Sequence, residues 1–402
     1  MEVLFIGSVF AKENQEEIIK YSKRAVEFSA NVFQEKLIEG FSNTCKEFKV
    51  VSAVGISNFP FGYKKLRFSG FKKKQNKYEY VKFNNLWGLR NFSRAKAIKK
   101  SLKFFIKKSG EEKFIIVYSA HTPFLDAAVY AKKKDPNIKI CLIVPDLPQF
   151  MNFEKKQKLF YRLGKKYDVK KFNNLSKNVD AFVLLTEHMK ESLCTGNRPC
   201  IITEGIIDSA QLRRAEENVV STVQEDTIKR VVYTGKMDIA FGIEKLIKAF
   251  RQIKDEDCRL ILCGAGTAFD LAKQSAIEDE RITCLGQVVP EVARQWIDKA
   301  DVLVNPRPND GEYVKYSFPS KTIEYLLSGK AVVGYKLDGM KELYRRFIFV
   351  PENDHVDKLG DAIKKALYSF KKSDEFLKYA KNNLYCDNIA ENIIKMMQSL
   401  NK

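Results

Sequence analysis

In the segment YSFPSKTIEYLLSGKAVVGY, residues 316–335, a lysine and a glutamate stand three residues apart at the start of an expected helix. Pro319 suits a first helical turn and Gly329 suits a helix stop, so the residues between them read as that helix. Glu324 lies four residues after Ser320, one position too far for a capping box, so closing the backbone ends is not its task. Just upstream, DVLVNPRPNDGEYVKYSFPSK delivers Arg307, Lys315 and Lys321 to the helix start. Free backbone N–H groups and cationic side chains at such a point bind anions, and phosphate is the usual occupant. A carboxylate one turn deeper has the wrong sign for phosphate. It can instead accept two hydrogen bonds from a vicinal diol, as the acidic residue of dinucleotide folds does for ribose. The expected chemistry is therefore diphosphate at the helix start and ribose on Glu324. The plainer alternative is a surface Glu324 that favours the helix start electrostatically.

The elements that must position these groups are short apolar strands alternating with helices. In the first half the strands read VLFIG, FKVVSAVG, FIIVYSA, KICLIVPD and AFVLLT; in the second, RVVYTG, CRLILCG, RITCLG, DVLVNP and AVVGY. Continuous apolar strands separated by helices form parallel sheets covered on both faces. Two such series predict an α/β chain of two doubly wound Rossmann-like domains facing a central cleft, with ligands beyond the carboxyl ends of the strands. The expected boundaries are residues 1–207, a polar linker at 208–229, a second domain at 230–380, and a helix at 381–402 that returns to the first domain. Other candidate residues fall at strand ends. RVVYTGKMDIAFGIEKLIKAF reads as strand, Gly235, a loop with Lys236, and a helix from about Gly242; LILCGAG ends a strand in a turn holding Gly264 and Gly266.

Composition and charge bound the partners. The chain has 402 residues, 45% hydrophobic and 12% aromatic, enough for two real cores. No apolar run reaches about 18 residues, and the start MEVLFIGSVFAKENQEE lacks a basic region before a long apolar core, so neither a span nor a signal peptide is expected. The eight cysteines form no C-x-x-C pair, and Cys141, Cys263 and Cys284 sit in apolar runs, which suits reduced buried thiols in a cytoplasmic protein. The net charge of +20 is uneven: residues 1–200 carry 39 Lys+Arg against 19 Asp+Glu, whereas residues 201–402 carry 31 of each. Lysines interleaved with Phe and Tyr suit an anionic lipid surface; the same pattern could meet nucleic acid or simply face solvent. The expected docking edge is Lys72, Lys73, Lys74 and Lys77, flanked by Phe68, Phe71, Tyr78 and Tyr80.

With these motifs in order, the second half resembles the donor domain of family 4 glycosyltransferases, retaining GT-B enzymes of the kind that build bacterial surface polysaccharides. The resemblance rests on YTGKMDIAFGIEKLIKAF, LILCGAG, ITCLGQVVPEVARQWIDKADVLVNP and FPSKTIEYLLSGKAVV. It implies a nucleotide-sugar donor, expected to be a UDP-sugar, with Gln287 and Val288 bordering the base and Ser320 and Lys321 bordering the diphosphate. Glu324 matches the second glutamate of the family's E-x7-E motif, which binds ribose. Tyr316 replaces the first glutamate, which touches the donor sugar, and Glu312 is close but out of register. Where the family has Arg and then Lys five residues on, this chain has Lys236 and Phe241, so Arg307 or Lys315 is expected to substitute.

The first half resembles the family's acceptor domain through strand order and two sites. His121 follows one strand and Asp146 the next, where the family often carries a His facing the donor sugar. Both are candidates for contact with the reacting sugar or the acceptor hydroxyl. Alternatively, His121 caps the following helix and Asp146 anchors the turn PDLP. The expected catalytic set is Asp146, His121 and Lys236. Bond breaking builds negative charge on the diphosphate, which the cations and helix start would stabilise; the leaving phosphate oxygen would take the acceptor proton. No metal or other cofactor is expected. Asp255, Glu256 and Asp257 spell D-x-D but precede a strand instead of following one, and three distant histidines make no metal site. The expected partners are a glycan or lipid-linked saccharide acceptor and the inner face of an anionic membrane. Nucleic acid is not expected, because a nucleic-acid module has no use for phosphate and ribose residues in its neutral half. The alternatives are a sugar-nucleotide epimerase and a catalytically weak or silent accessory subunit.

Overall fold

The structure is a computed structural model that describes residues 1–23, 26, 28–71, 77–108, 112–147, 159–220 and 227–401. It divides into two compact units, Met1–Asp208 with Asn383–Lys402, and Ser209–Asn382. The strands of the first are β1 (Glu2–Gly7), β2 (Glu47–Ser52), β3 (Arg67–Phe68), β4 (Tyr78–Tyr80), β5 (Phe83–Asn84), β6 (Lys113–Tyr118), β7 (Lys139–Val144), β8 (Ala181–Leu184) and β9 (Cys200–Ile202). Seven of these form one parallel sheet in the order β4-β2-β1-β6-β7-β8-β9, while β3 and β5 pair antiparallel beside it. The central strands β1 and β6 are buried along their whole length, as a sheet covered on both faces requires.

The helix Cys386–Ser399 lies in this first unit. Its Ile389, Ile393 and Met397 recur every fourth residue and pack with Leu37, Ile38 and Phe41 of the helix Ser29–Thr44. Each such fully buried side chain contributes about 1.5–3 kcal/mol. The helix expected at 381–402 is thus not continuous. It breaks at Leu384–Tyr385, and the part before the break, Glu375–Asn383, begins in the other unit.

The second unit holds β10 (Lys229–Thr234), β11 (Cys258–Cys263), β12 (Ile282–Gly286), β13 (Val302–Asn305) and β14 (Ala331–Gly334) in the order β12-β11-β10-β13-β14, all parallel. The order reverses between β10 and β13. That reversal opens a crevice at their carboxyl ends, where open α/β sheets bind ligands. The polar stretch expected as a linker at 208–229 differs from that reading. Residues Ser209–Val220 form a helix belonging to the second unit, tied there by Lys381 to Glu216 at 3.0 Å. Its polar surface suited a solvated helix as well as a linker.

Candidate functional site

The crevice between β10 and β13 is built by three loops and one helix. Gly242 ends the β10 loop with φ +79°, and a Cβ there would stand 2.2 Å from the Pro306 carbonyl oxygen, so only glycine lets the two loops meet. Phe241 is thereby placed against Arg307, whose guanidinium lies 5.7 Å from the Phe241 ring and 5.4 Å from that of Tyr313. Arg307 donates to the Ser317 hydroxyl at 3.0 Å, and its buried Nε has no hydrogen-bond partner among the described residues. The residue that replaces the expected second cation therefore supports another cation from across the crevice.

The helix Ser320–Leu327 enters the crevice with Thr322, Ile323, Tyr325, Leu326 and Leu327 buried. Tyr325 anchors it. The Thr234 N–H donates to the Tyr325 hydroxyl at 2.8 Å, and that hydroxyl donates to the Thr234 carbonyl at 3.0 Å. Burial of the ring pushes the Tyr325 phenol far above its ordinary range, so it is neutral. Asn305 at the end of β13 donates to the Thr322 hydroxyl at 3.1 Å. These three anchors, Thr234, Asn305 and Tyr325, escape a reading of the sequence. A tyrosine among Ile and Leu carries no signal beyond core, although a phenol in an apolar stripe does ask for a partner.

The other helix face carries the chemistry. Ser320 is exposed at the first helical position, and the residue at the N-cap, Pro319, makes no side-chain capping bond. Lys321 donates to the Thr234 hydroxyl at 3.1 Å and pairs with Glu324 at 2.7 Å, and its Cε lies 3.7 Å from where a Cβ on Gly235 would be. An ammonium is thus held over the end of β10, with a half-exposed carboxylate beside it. Lys236 is more exposed and pairs with Asp238 at 2.7 Å. The bond from Lys236 holds the Asp238 carboxyl below the usual carboxylate range, aided by the Thr267 N–H. Lys315 pairs with Glu312, and its hydrogen bond with Tyr316 pushes its ammonium up.

Gly264 and Gly266 have a packing reason as well as any ligand role. A Cβ on Gly264 would stand 1.7 Å from the Gly235 carbonyl, and one on Gly266 2.4 Å from that of Met237. Gln287 is exposed and Val288 half-buried in the loop after β12. Asp255 sits in the turn before β11, at the opposite end of the sheet, taking a bond from Lys229 at 3.2 Å. Among the described residues, no cluster of three or more His, Cys, Asp or Glu is placed to hold a metal ion.

In the first unit His121 precedes the helix Thr122–Lys134 and makes no side-chain cap. Burial, then the charges of Arg94 and Arg90, lower its pKa to about 3, so it is neutral at pH 7. Asp146 is exposed just past β7, and its charge reaches Tyr118 at the end of β6. Of the expected docking edge, Lys72, Lys73 and Lys74 lie outside the described residues, and Lys77 adjoins β4 with its ammonium 5.6 Å from the Tyr78 ring. A second surface was not foreseen. Phe61, Trp87, Leu89 and Phe92 are 62%, 58%, 52% and 74% exposed. Their loops are joined by Phe59 N–H to Asn85 O and Trp87 N–H to Phe59 O, and Lys23 and Lys64 are bonded into the same corner. Among the described residues no helix is long and apolar enough to cross a membrane.

Comparison with known proteins agrees with this architecture. Residues 228–369 match the family model for glycosyl transferases group 1. No curated protein sequence matches the chain. Among solved structures, the lipopolysaccharide outer core galactosyltransferase WaaB is similar with a TM-score of 0.62 at 13% identity, covering 99% of both chains. Sucrose-phosphate synthase from Thermosynechococcus elongatus gives 0.61 at 14% identity, over 100% of this chain and 99% of the other. Anabaena HepE in complex with UDP gives 0.58 at 13% identity, over 99% of this chain and all of that one. The fold is GT-B, two Rossmann-like units.

Proposed function

We propose that the protein is a glycosyltransferase that takes a sugar from a UDP-sugar held on the second unit and passes it to a saccharide acceptor held on the first. The observation that carries this reading is the helix Ser320–Leu327, anchored at the β10/β13 reversal with Lys321 over the strand end and Glu324 beside it. A helix start with an ammonium accepts diphosphate, and the adjacent carboxylate accepts the ribose hydroxyls. HepE, a structural relative, is described in complex with UDP, which supports the choice of nucleotide. Both features fall within the residues that match the glycosyltransferase model.

As the sugar leaves, negative charge grows on the diphosphate, and Lys321, Arg307 and Lys236 are the cations that answer it. Arg307 is already held by two rings and Ser317, so little ordering remains to be done when the donor arrives. Transfer proceeds with retention, the leaving phosphate oxygen taking the proton of the attacking hydroxyl. Neutral His121 and the exposed Asp146 carboxyl group hold hydroxyls of the reacting sugars, in glycan or lipid-linked glycan synthesis at the inner face of a membrane. The test is to incubate the protein with a panel of nucleotide sugars and acceptors and to measure released nucleotide. Release of UDP that depends on acceptor supports the reading. Tight UDP binding with no release from any donor would favour the silent accessory subunit, for which Tyr316 in place of the first glutamate is the relevant feature.

A further inference from the structure

The first unit contains a cationic corner that no step above uses. Arg94, on the helix Arg90–Ser101, is 3% exposed; it donates to the carbonyls of Val54 at 2.6 Å and Ile56 at 3.4 Å and lies 4.6 Å from the Phe83 ring. Its Nε has no hydrogen-bond partner among the described residues. Arg90, one turn earlier and half-buried, donates to Ile56 at 3.0 Å. The neighbouring helix Thr122–Lys134 is joined to this one by Lys99 and Asp126 at 2.8 Å, and it begins with Thr122, 3% exposed, whose hydroxyl also lacks a partner among the described residues. His121, just before it, is near enough for both guanidinium groups to act on its imidazole.

The charges do not balance locally. Arg90 and Arg94 are acted on by burial and, for Arg94, by the like charge of Arg90, with no carboxylate among the described residues contributing. The positive end of a 13-residue helix adds to them. Two guanidinium groups that meet at the Ile56 carbonyl, one buried and one half-buried, are costly unless an anion answers them, and the two carbonyls do so only in part. Guanidinium is also the group that matches an oxyanion with paired hydrogen bonds.

We propose that this corner is an oxyanion subsite that holds a phosphate or carboxylate group of the acceptor, with Arg90 in contact and Arg94, Thr122 and the helix start behind it. That the oxyanion belongs to an acceptor rests on the glycosyltransferase reading; the subsite itself does not. An acceptor that carries its charge close to the accepting hydroxyl, such as a saccharide on a lipid phosphate or an acidic sugar, fits this arrangement. A neutral oligosaccharide would leave the corner unanswered.

The test uses the full chain, labelled with nitrogen-15 at its three histidines, titrated at pH 7.5 with inorganic phosphate and, separately, with acetate. The expected result is a saturable shift of the His121 imidazole signals, with those of His188 and His355 unmoved. Arg90→Gln should weaken this response at least tenfold, and Thr122→Val, which deletes a hydroxyl that has no partner among the described residues, should weaken it severalfold in a folded protein. Both variants should bind UDP with unchanged affinity. A stronger response to phosphate identifies a phosphorylated acceptor, and a stronger response to acetate a carboxylated one. His121 signals that ignore both anions, or that respond equally in both variants, would overturn the subsite. Failure of the wild type to bind UDP while His121 still responds would instead count against the donor reading alone.

Discussion

Glu324 and Lys321 share the exposed face of one short helix, and their pairing at 2.7 Å makes their two roles separable. Glu324→Ala should weaken UDP binding by about 2–3 kcal/mol, the loss of charge-assisted bonds to a diol. Binding of inorganic pyrophosphate should be unchanged or tighter, because Lys321 then loses its neutralising neighbour. Calorimetry with the two ligands checks this, and an equal loss for both would remove the ribose assignment. These two residues were legible because spacing alone places them at a helix start. Thr234 and Tyr325 were not, since their bonds join residues 91 apart and exist only once the sheet has formed. His121 leads to a pH prediction. Its folded pKa of about 3 lies below the ordinary 6.5, so the unfolded chain binds the extra proton between those values. The stability from a neutral His121 is present above pH 6.5 and is lost as pH falls toward 3. His121→Asn should flatten the fall in the first unit's stability between pH 6.5 and 4.5, read by thermal unfolding followed across that range.

At the scale of elements, the site depends on how closely three loops approach. Gly264→Ala places a methyl group 1.7 Å from the Gly235 carbonyl, so the β10 and β11 loops must separate. The expected outcome is a lower melting midpoint together with weaker UDP binding. A variant with wild-type values for both would show that the loop approach does not matter. Tyr325→Phe keeps the ring but leaves the buried Thr234 N–H without its acceptor, which costs about 1–3 kcal/mol of stability; chemical denaturation measures it. Elements were legible in proportion to their length and burial. The ten apolar strands read from the sequence all appear, whereas β4 and β9, three residues each and mostly half-buried, have no pattern to read. The helix Ser209–Val220 was missed because its polar face resembles a connecting segment until Lys381 and its other neighbours are in place.

For the whole molecule, the charge excess of residues 1–200 finds a described counterpart in the corner that exposes Phe61, Trp87, Leu89 and Phe92 near Lys23 and Lys64. Rings of this kind enter the headgroup layer while each nearby lysine adds about 1 kcal/mol on an anionic membrane, screened by salt. The protein should therefore sediment with anionic vesicles at low salt, and replacing Trp87 and Phe92 by Ser should release it while leaving UDP binding intact. Wild-type protein that stays in the supernatant would remove the membrane reading and favour a water-soluble acceptor. Membrane docking is independent of the β10/β13 crevice, where Lys321 is proposed to hold a nucleoside diphosphate. The most direct measurement is a calorimetric titration of the full chain and its Lys321→Ala variant with UDP. One saturable site is expected in the wild type, lost in a variant that still folds. A folded wild type that takes up no UDP, or a variant that binds it equally well, would contradict that role of Lys321.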